Sequence, residues 1–192
     1  AVKGELLCAI GRDANNQMYH LAWAVVENET NITWKWFVGL LLKDLELNNN
    51  WAGWVIISDQ QKGLINAVNG YLPEAEHRMC ARHIYANWRK KHRDYEWQKK
   101  FWAIAKAANR QGFNYYKAKL AQVTPEGTKD IMRTEPVHWD RAFFLVGSNY
   151  EPVDNNLCES FNHAIVDARF YPIISMNEKI WKKVLVRNQE QR

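Results

Sequence analysis

The chain has 192 residues, 47% of them apolar, enough to bury a core and too many for a disordered tail. Its formal charge of +5 permits a phosphate-bearing partner without requiring one, and no apolar run approaches a membrane span. Three widely spaced cysteines, Cys8, Cys80 and Cys158, suit a reduced compartment such as the cytoplasm or nucleus.

No basic-then-apolar leader opens the sequence, and the absence of an initial Met points to a start inside a longer chain. Leu6 to Ile10 and Tyr19 to Val26 are apolar runs separated by the turn residues Asp13, Ala14, Asn15 and Asn16, which predicts a β-hairpin. Thr33 is suited to cap a helix carrying Trp36, Phe37, Leu40, Leu41 and Leu45, stopped by Asn48, Asn49 and Asn50. Trp54 to Ile57 is an unbroken apolar strand of the kind covered on both faces. After Ser58 and Asp59, a helix with Leu64, Ile65, Val68 and Tyr71 ends before Pro73. Glu76 to Met79 is a further short strand.

From Ala81 to Tyr95 the spacing of Ile84, Trp88 and Tyr95 predicts one amphipathic helix with its cations outside. Trp97 to Val123 is helical in period, and Pro125, Pro136 and Pro152 punctuate the next stretch. A helix over about 155–168, with Leu157, Phe161, Ile165 and Ala168 as its stripe, precedes a basic one over roughly 176–187. Strands first and helices later predict an α/β core with a helical insertion over about 97–150.

Four groups of residues could carry chemistry. Asp59 directly follows a buried strand, where open α/β sheets place their ligands, although an Asp there also suits a cap for a helix beginning near Gln60. Glu159 falls about 200° around its helix from Leu157, on a polar side shared with Asn155, Asn162 and His163, and a solvated face would account for it equally well. Cys80 and His83 lie on one side of a helix start. With His77 they make three ligands, one short of a structural zinc site, which argues against zinc and for a packed or hydrogen-bonded pair. Arg82, Arg89, Lys90, Lys91 and Arg93 form a basic stretch interleaved with Tyr85, Trp88 and His92, which could neutralise phosphates and stack on bases or simply face solvent and core.

Taken together, these strings resemble the catalytic domain of the plant Mutator-like (MULE) transposases. The resemblance rests on residues 4–7 (GELL), 11–19 (GRDANNQMY), 22–27 (AWAVVE), 57–64 (ISDQQKGL), 76–83 (EHRMCARH) and 155–162 (NNLCESFN). It implies a ribonuclease-H-like fold with a helical insertion between the second and third acids. It also implies DNA strand cleavage and transfer by three acids holding two Mg²⁺ or Mn²⁺ ions. Asp59 matches the second acid and Glu159 the third, while Cys80 and His83 match a pair in a supporting or structural role. The first acid is expected upstream of Lys3, outside this chain, so metal binding is expected to be weak; Asp13, in a turn, cannot replace it. His20 stands where the family usually has Pro. DNA is the implied partner, the nucleus the implied location, and assembly of several copies on DNA ends the implied habit. A domesticated relative of the far-red-impaired-response type, binding DNA as a transcription regulator, and an inactive remnant are the alternatives.

Overall fold

The computed structural model describes residues 4–12, 17–46, 53–145 and 152–190. Along the chain these form β1 (Glu5–Arg12), β2 (Met18–Val26), α1 (Asn31–Leu45), β3 (Val55–Ser58), α2 (Lys62–Tyr71) and β4 (Glu76–Met79). Next come α3 (Ala81–Arg89), α4 (Tyr95–Ala105), α5 (Arg110–Val123), α6 (Pro125–Met132), α7 (Asn156–Ala164) and α8 (Ile173–Glu190), with short 3₁₀ turns between α6 and α7 and between α7 and α8. The chain is thus mixed α/β, in two compact units: residues 1–33 with 156–192, and residues 34–155. The expected turn at Asp13–Asn16 and breaker at Asn48–Asn50 lie outside the described residues.

In the first unit β1 and β2 pair antiparallel from Glu5↔Val26 to Arg12↔Met18. A bulge after Ala9 leaves Leu21 without an opposite number. Strand side chains alternate between faces, so Leu6, Cys8 and Ile10 of β1 come together with Trp23 and Val25 of β2. They pack on Phe161, Ile165, Ala168, Met176, Ile180 and Val184. The last three recur every four residues on α8, a buried helical stripe. His20 meets Phe161 edge to face at 4.8 Å. The predicted helix over 155–168 stops at Ala164 and continues as a 3₁₀ turn over Asp167–Phe170, where Ala168 is still buried. The final helix is longer at both ends than its periodicity suggests.

The second unit holds β3 and β4, paired in parallel from Val55↔Glu76 to Ser58↔Met79, with α2 between them in the chain. Leu72 N–H bonds the Val68 carbonyl at 2.8 Å and closes α2 just before Pro73. Val55, Ile56 and Ile57 are half-buried rather than fully covered. Arg78 of β4 is buried, with its guanidinium 2.8 Å from Glu76 and 3.5 Å above the Phe144 ring. A paired, stacked guanidinium tolerates such a site where a lone charge would not.

Helices α3 to α6 enclose an aromatic core of Tyr85, Trp88, Phe101, Phe113 and Trp139. The rings of Phe101 and Trp139 stack 5.5 Å apart. Among the described residues of 97–145 there is no strand.

Two expectations are corrected here. Thr33 lies inside α1 rather than capping it: Thr30 Oγ1 accepts from Thr33 N–H at 3.1 Å, while Thr33 Oγ1 accepts from Thr30 N–H at 2.8 Å. α1 buries Trp34, Phe37 and Val38 and leaves Trp36 and Leu40 exposed. The predicted single helix over 81–95 is two. His92 turns inward onto the Trp88 ring and Asp130, and Asp94 caps a new helix by accepting from Glu96 N–H at 2.7 Å.

Candidate functional site

Parallel strands end on the same side of their sheet, so the residues just beyond β3 and β4 gather at one edge. Ser58 and Met79 are the last paired residues, and Asp59 and Cys80 each stand one step beyond. The Cys80 N–H bonds the Ser58 carbonyl at 2.7 Å, which holds the two chain ends together. The Ser58 hydroxyl lies 2.8 Å from both the Asp59 carbonyl and His77 Nε2. A hydroxyl has one hydrogen, so donation to Asp59 makes His77 the donor to Ser58. Burial, with His138 nearby, lowers the His77 pKa to about 4, which keeps the ring neutral. His77 therefore serves the strand pair.

Asp59 is half-buried, and its Oδ1 accepts from Gln61 N–H at 3.1 Å. It does not cap α2. That role belongs to Gln61, whose side-chain oxygen accepts from Leu64 N–H at 2.7 Å. Asp59 instead shapes the tight turn between strand and helix and presents a hard oxygen donor at the strand's carboxyl end.

Cys80 is fully buried and precedes α3. Its thiol donates to Asn155 Oδ1 at 3.0 Å and accepts from Asn155 N–H at 3.4 Å. Burial pushes this thiol up, opposed by the N–H groups of Asn155, His83 and Arg82. A ring nitrogen of His83 lies within 4.8 Å of Cys80 Sγ. His83 Nδ1 is buried without a hydrogen-bond partner among the described residues. Asn155 is the participant the sequence did not assign to this pair, since 75 residues separate it from Cys80.

Glu159 sits half-buried in the first turn of α7 and belongs to the first unit, whereas Asp59, Cys80 and His83 belong to the second. Of the basic residues, Arg89, Lys90, Lys91 and Arg93 are exposed around the end of α3, and Arg82 is half-buried. Lys91 approaches Asp130 at 3.9 Å. Tyr85, Trp88 and His92 are all buried, so none of the three is placed to stack on a base.

An acid at the carboxyl end of one parallel strand, and a buried cysteine at the end of its neighbour, mark the sheet edge of a mixed α/β protein. Residues 1–87 match the MULE transposase domain, which supports a Mutator-like transposase domain over that stretch. The match spans somewhat less than half of the chain, includes Asp59, Cys80 and His83, and ends before α4. No curated protein matches the chain. Among the described residues no helix is long and apolar enough to cross a membrane.

Proposed function

We propose that the chain is the core of a DNA transposase of the plant Mutator-like type. In this reading it is a ribonuclease-H-like domain spanning residues 1–192, with a helical insertion over about 97–150. The match to the MULE transposase domain carries the reading, because it includes both Asp59 and the Cys80–His83 pair. Asp59 and Glu159 are the acids that hold Mg²⁺ or Mn²⁺, hard cations that favour carboxylate oxygen. When bound, such ions activate an attacking hydroxyl and stabilise the leaving oxygen in strand cleavage and transfer. Cys80 and His83 support the strand edge from which Asp59 projects.

Exposed Arg89, Lys90, Lys91 and Arg93, with Arg82, face the DNA phosphates. The protein works in the nucleus and assembles as several copies on transposon ends. The same exposed cations favour a second reading, a domesticated regulator that binds DNA without cutting it.

Manganese titration, followed by loss of the free-ion paramagnetic signal, tests the first reading. The 192-residue chain supplies two of the three acids the resemblance implies, so weak binding is expected. Asp59→Asn and Glu159→Gln should each lower it about tenfold or more. Equal manganese uptake by all three proteins overturns the shared site, and DNA binding without metal uptake supports the regulator. Strand nicking by these residues alone, lost in Asp59→Ala, would show that two acids suffice.

A further inference from the structure

From Trp97 to Val123 the chain carries Lys99, Lys100, Lys106, Arg110, Lys117 and Lys119, and neither Asp nor Glu. Among the described residues Lys99 pairs with Glu96 at 2.8 Å, and no acid pairs with the other five. Within this stretch α5 buries Phe113 and Leu120 on one side. Its other side, where residues three and four apart line up, presents Gln111, Asn114, Tyr115, Lys119 and Gln122, all exposed. Tyr115 is 59% exposed and meets the Tyr116 ring edge to face at 5.3 Å. Lys119 Nζ lies 5.7 Å from the centroid of the Tyr115 ring. We infer that this face of α5 binds single-stranded DNA, with an unpaired base stacked on Tyr115 and Lys119 on an adjoining phosphate.

Such binding presupposes the DNA reading proposed above and adds to it the part of the protein that touches bases. A face with cations and no carboxylates attracts a polyanion along its whole length. A merely solvated helix gains from Glu and Lys set four apart, and α5 has no such pair. The amides of Gln111, Asn114 and Gln122 offer donors and acceptors to base edges without repelling phosphate. Stacking needs the free face of a base, which a duplex keeps against its neighbours, so the strand is unpaired. This side of α5 exposes no Leu, Ile, Phe or Trp, the residues that enter a lipid surface. Helix α3 holds cations, but its Tyr85 and Trp88 are buried, so Tyr115 supplies the ring that α3 lacks. All of α5 lies beyond the residues matched to the MULE transposase domain.

Fluorescence anisotropy of a labelled oligothymidine of about 16 nucleotides, within the span of a single-strand site, measures the binding. Tyr115→Ala should weaken it about tenfold, and Tyr115→Phe, which keeps a ring, less than about twofold. Duplex of the same length should be held equally by the parent and Tyr115→Ala. With 5-iodouracil in the strand, irradiation should join the DNA to tryptic peptide 111–117, which contains Tyr115. Unchanged strand binding by Tyr115→Ala, an equal loss on duplex, or cross-links only outside α5 overturns the inference, and duplex binding by the parent then leaves the DNA reading standing. Failure of the parent to bind either strand or duplex overturns that reading itself. Tighter binding of an oligouridine RNA than of oligothymidine overturns DNA as the occupant. The cross-link map of the parent decides the matter even if a variant fails to fold.

Discussion

The indole N–H of Trp88 donates to the main-chain carbonyl of Gly127 across 2.9 Å, tying α3 to α6. Gly127 N–H in turn bonds Thr124 Oγ1 at 3.1 Å, the cap of α6. A Cβ at residue 127 would lie 2.7 Å from that oxygen and 3.2 Å from Trp88 Cζ2. Gly127→Ala gains up to about 1 kcal/mol of helix propensity but strains the cap and the ring at once. The net expectation is a loss of roughly 1–3 kcal/mol, as in overpacked cores. Urea unfolding measures it, and a variant as stable as the parent sinks the argument.

Asp140 is fully buried, and burial raises its carboxyl to about 7, against a pull from Ala142 N–H and Arg141. Its Oδ1 accepts from Ala142 N–H at 2.8 Å, while Oδ2 is buried without a partner among the described residues. The folded state therefore holds a proton that the unfolded chain releases near its ordinary carboxyl range. Stability from this group is full at acid pH and declines as pH rises toward about 7. Between pH ~5 and ~8 the parent should lose about 2 kcal/mol more than Asp140→Asn. Denaturant curves at the two pH values give the comparison, and parallel losses would be the contrary result.

His77 moves the balance the other way. Its folded pKa of about 4 lies below that of a free imidazole, so the unfolded chain takes up the proton first. The contribution is present above the unfolded value and fades as pH falls from ~6.5 toward ~4. Stability should drop by about 1 kcal/mol more in the parent than in His77→Gln between pH ~7 and ~5. The opposite sign from Asp140 means that only single variants separate the two.

Arg89, Lys90, Lys91 and Arg93 are exposed, with Lys91 partly offset by Asp130. If they meet duplex DNA, each lost phosphate contact lowers the log–log salt slope of binding by about 0.9. Replacing all four by Ala should therefore flatten the slope by about 3.6, read by fluorescence anisotropy across a salt series. An unchanged slope would place the DNA contact elsewhere or nowhere.

Much of the architecture was legible before folding. The apolar runs Leu6–Ile10 and Tyr19–Val26, split by turn residues, anticipated the hairpin, and the short Glu76–Met79 strand coincides with β4. Pro73 marked the end of α2 because a ring without N–H cannot extend it. Candidate site residues were legible by type and by resemblance. Their surroundings were not: Asp59 could be read as a cap until Gln61 was seen to occupy that position.

Local spacing determined where the strands and helices of this protein form, since turn chemistry and apolar period act over a few residues. Tertiary structure alone decided which side chains turn inward. Tyr85 and His92 sit among cations and off the apolar stripe of Ile84 and Trp88, yet each reaches the core because distant Phe101 and Asp130 receive them. Cys80 with Asn155 is a pairing of the same kind, between residues 75 apart in the chain. No local pattern encodes them, because contacts at that separation depend on how whole elements pack.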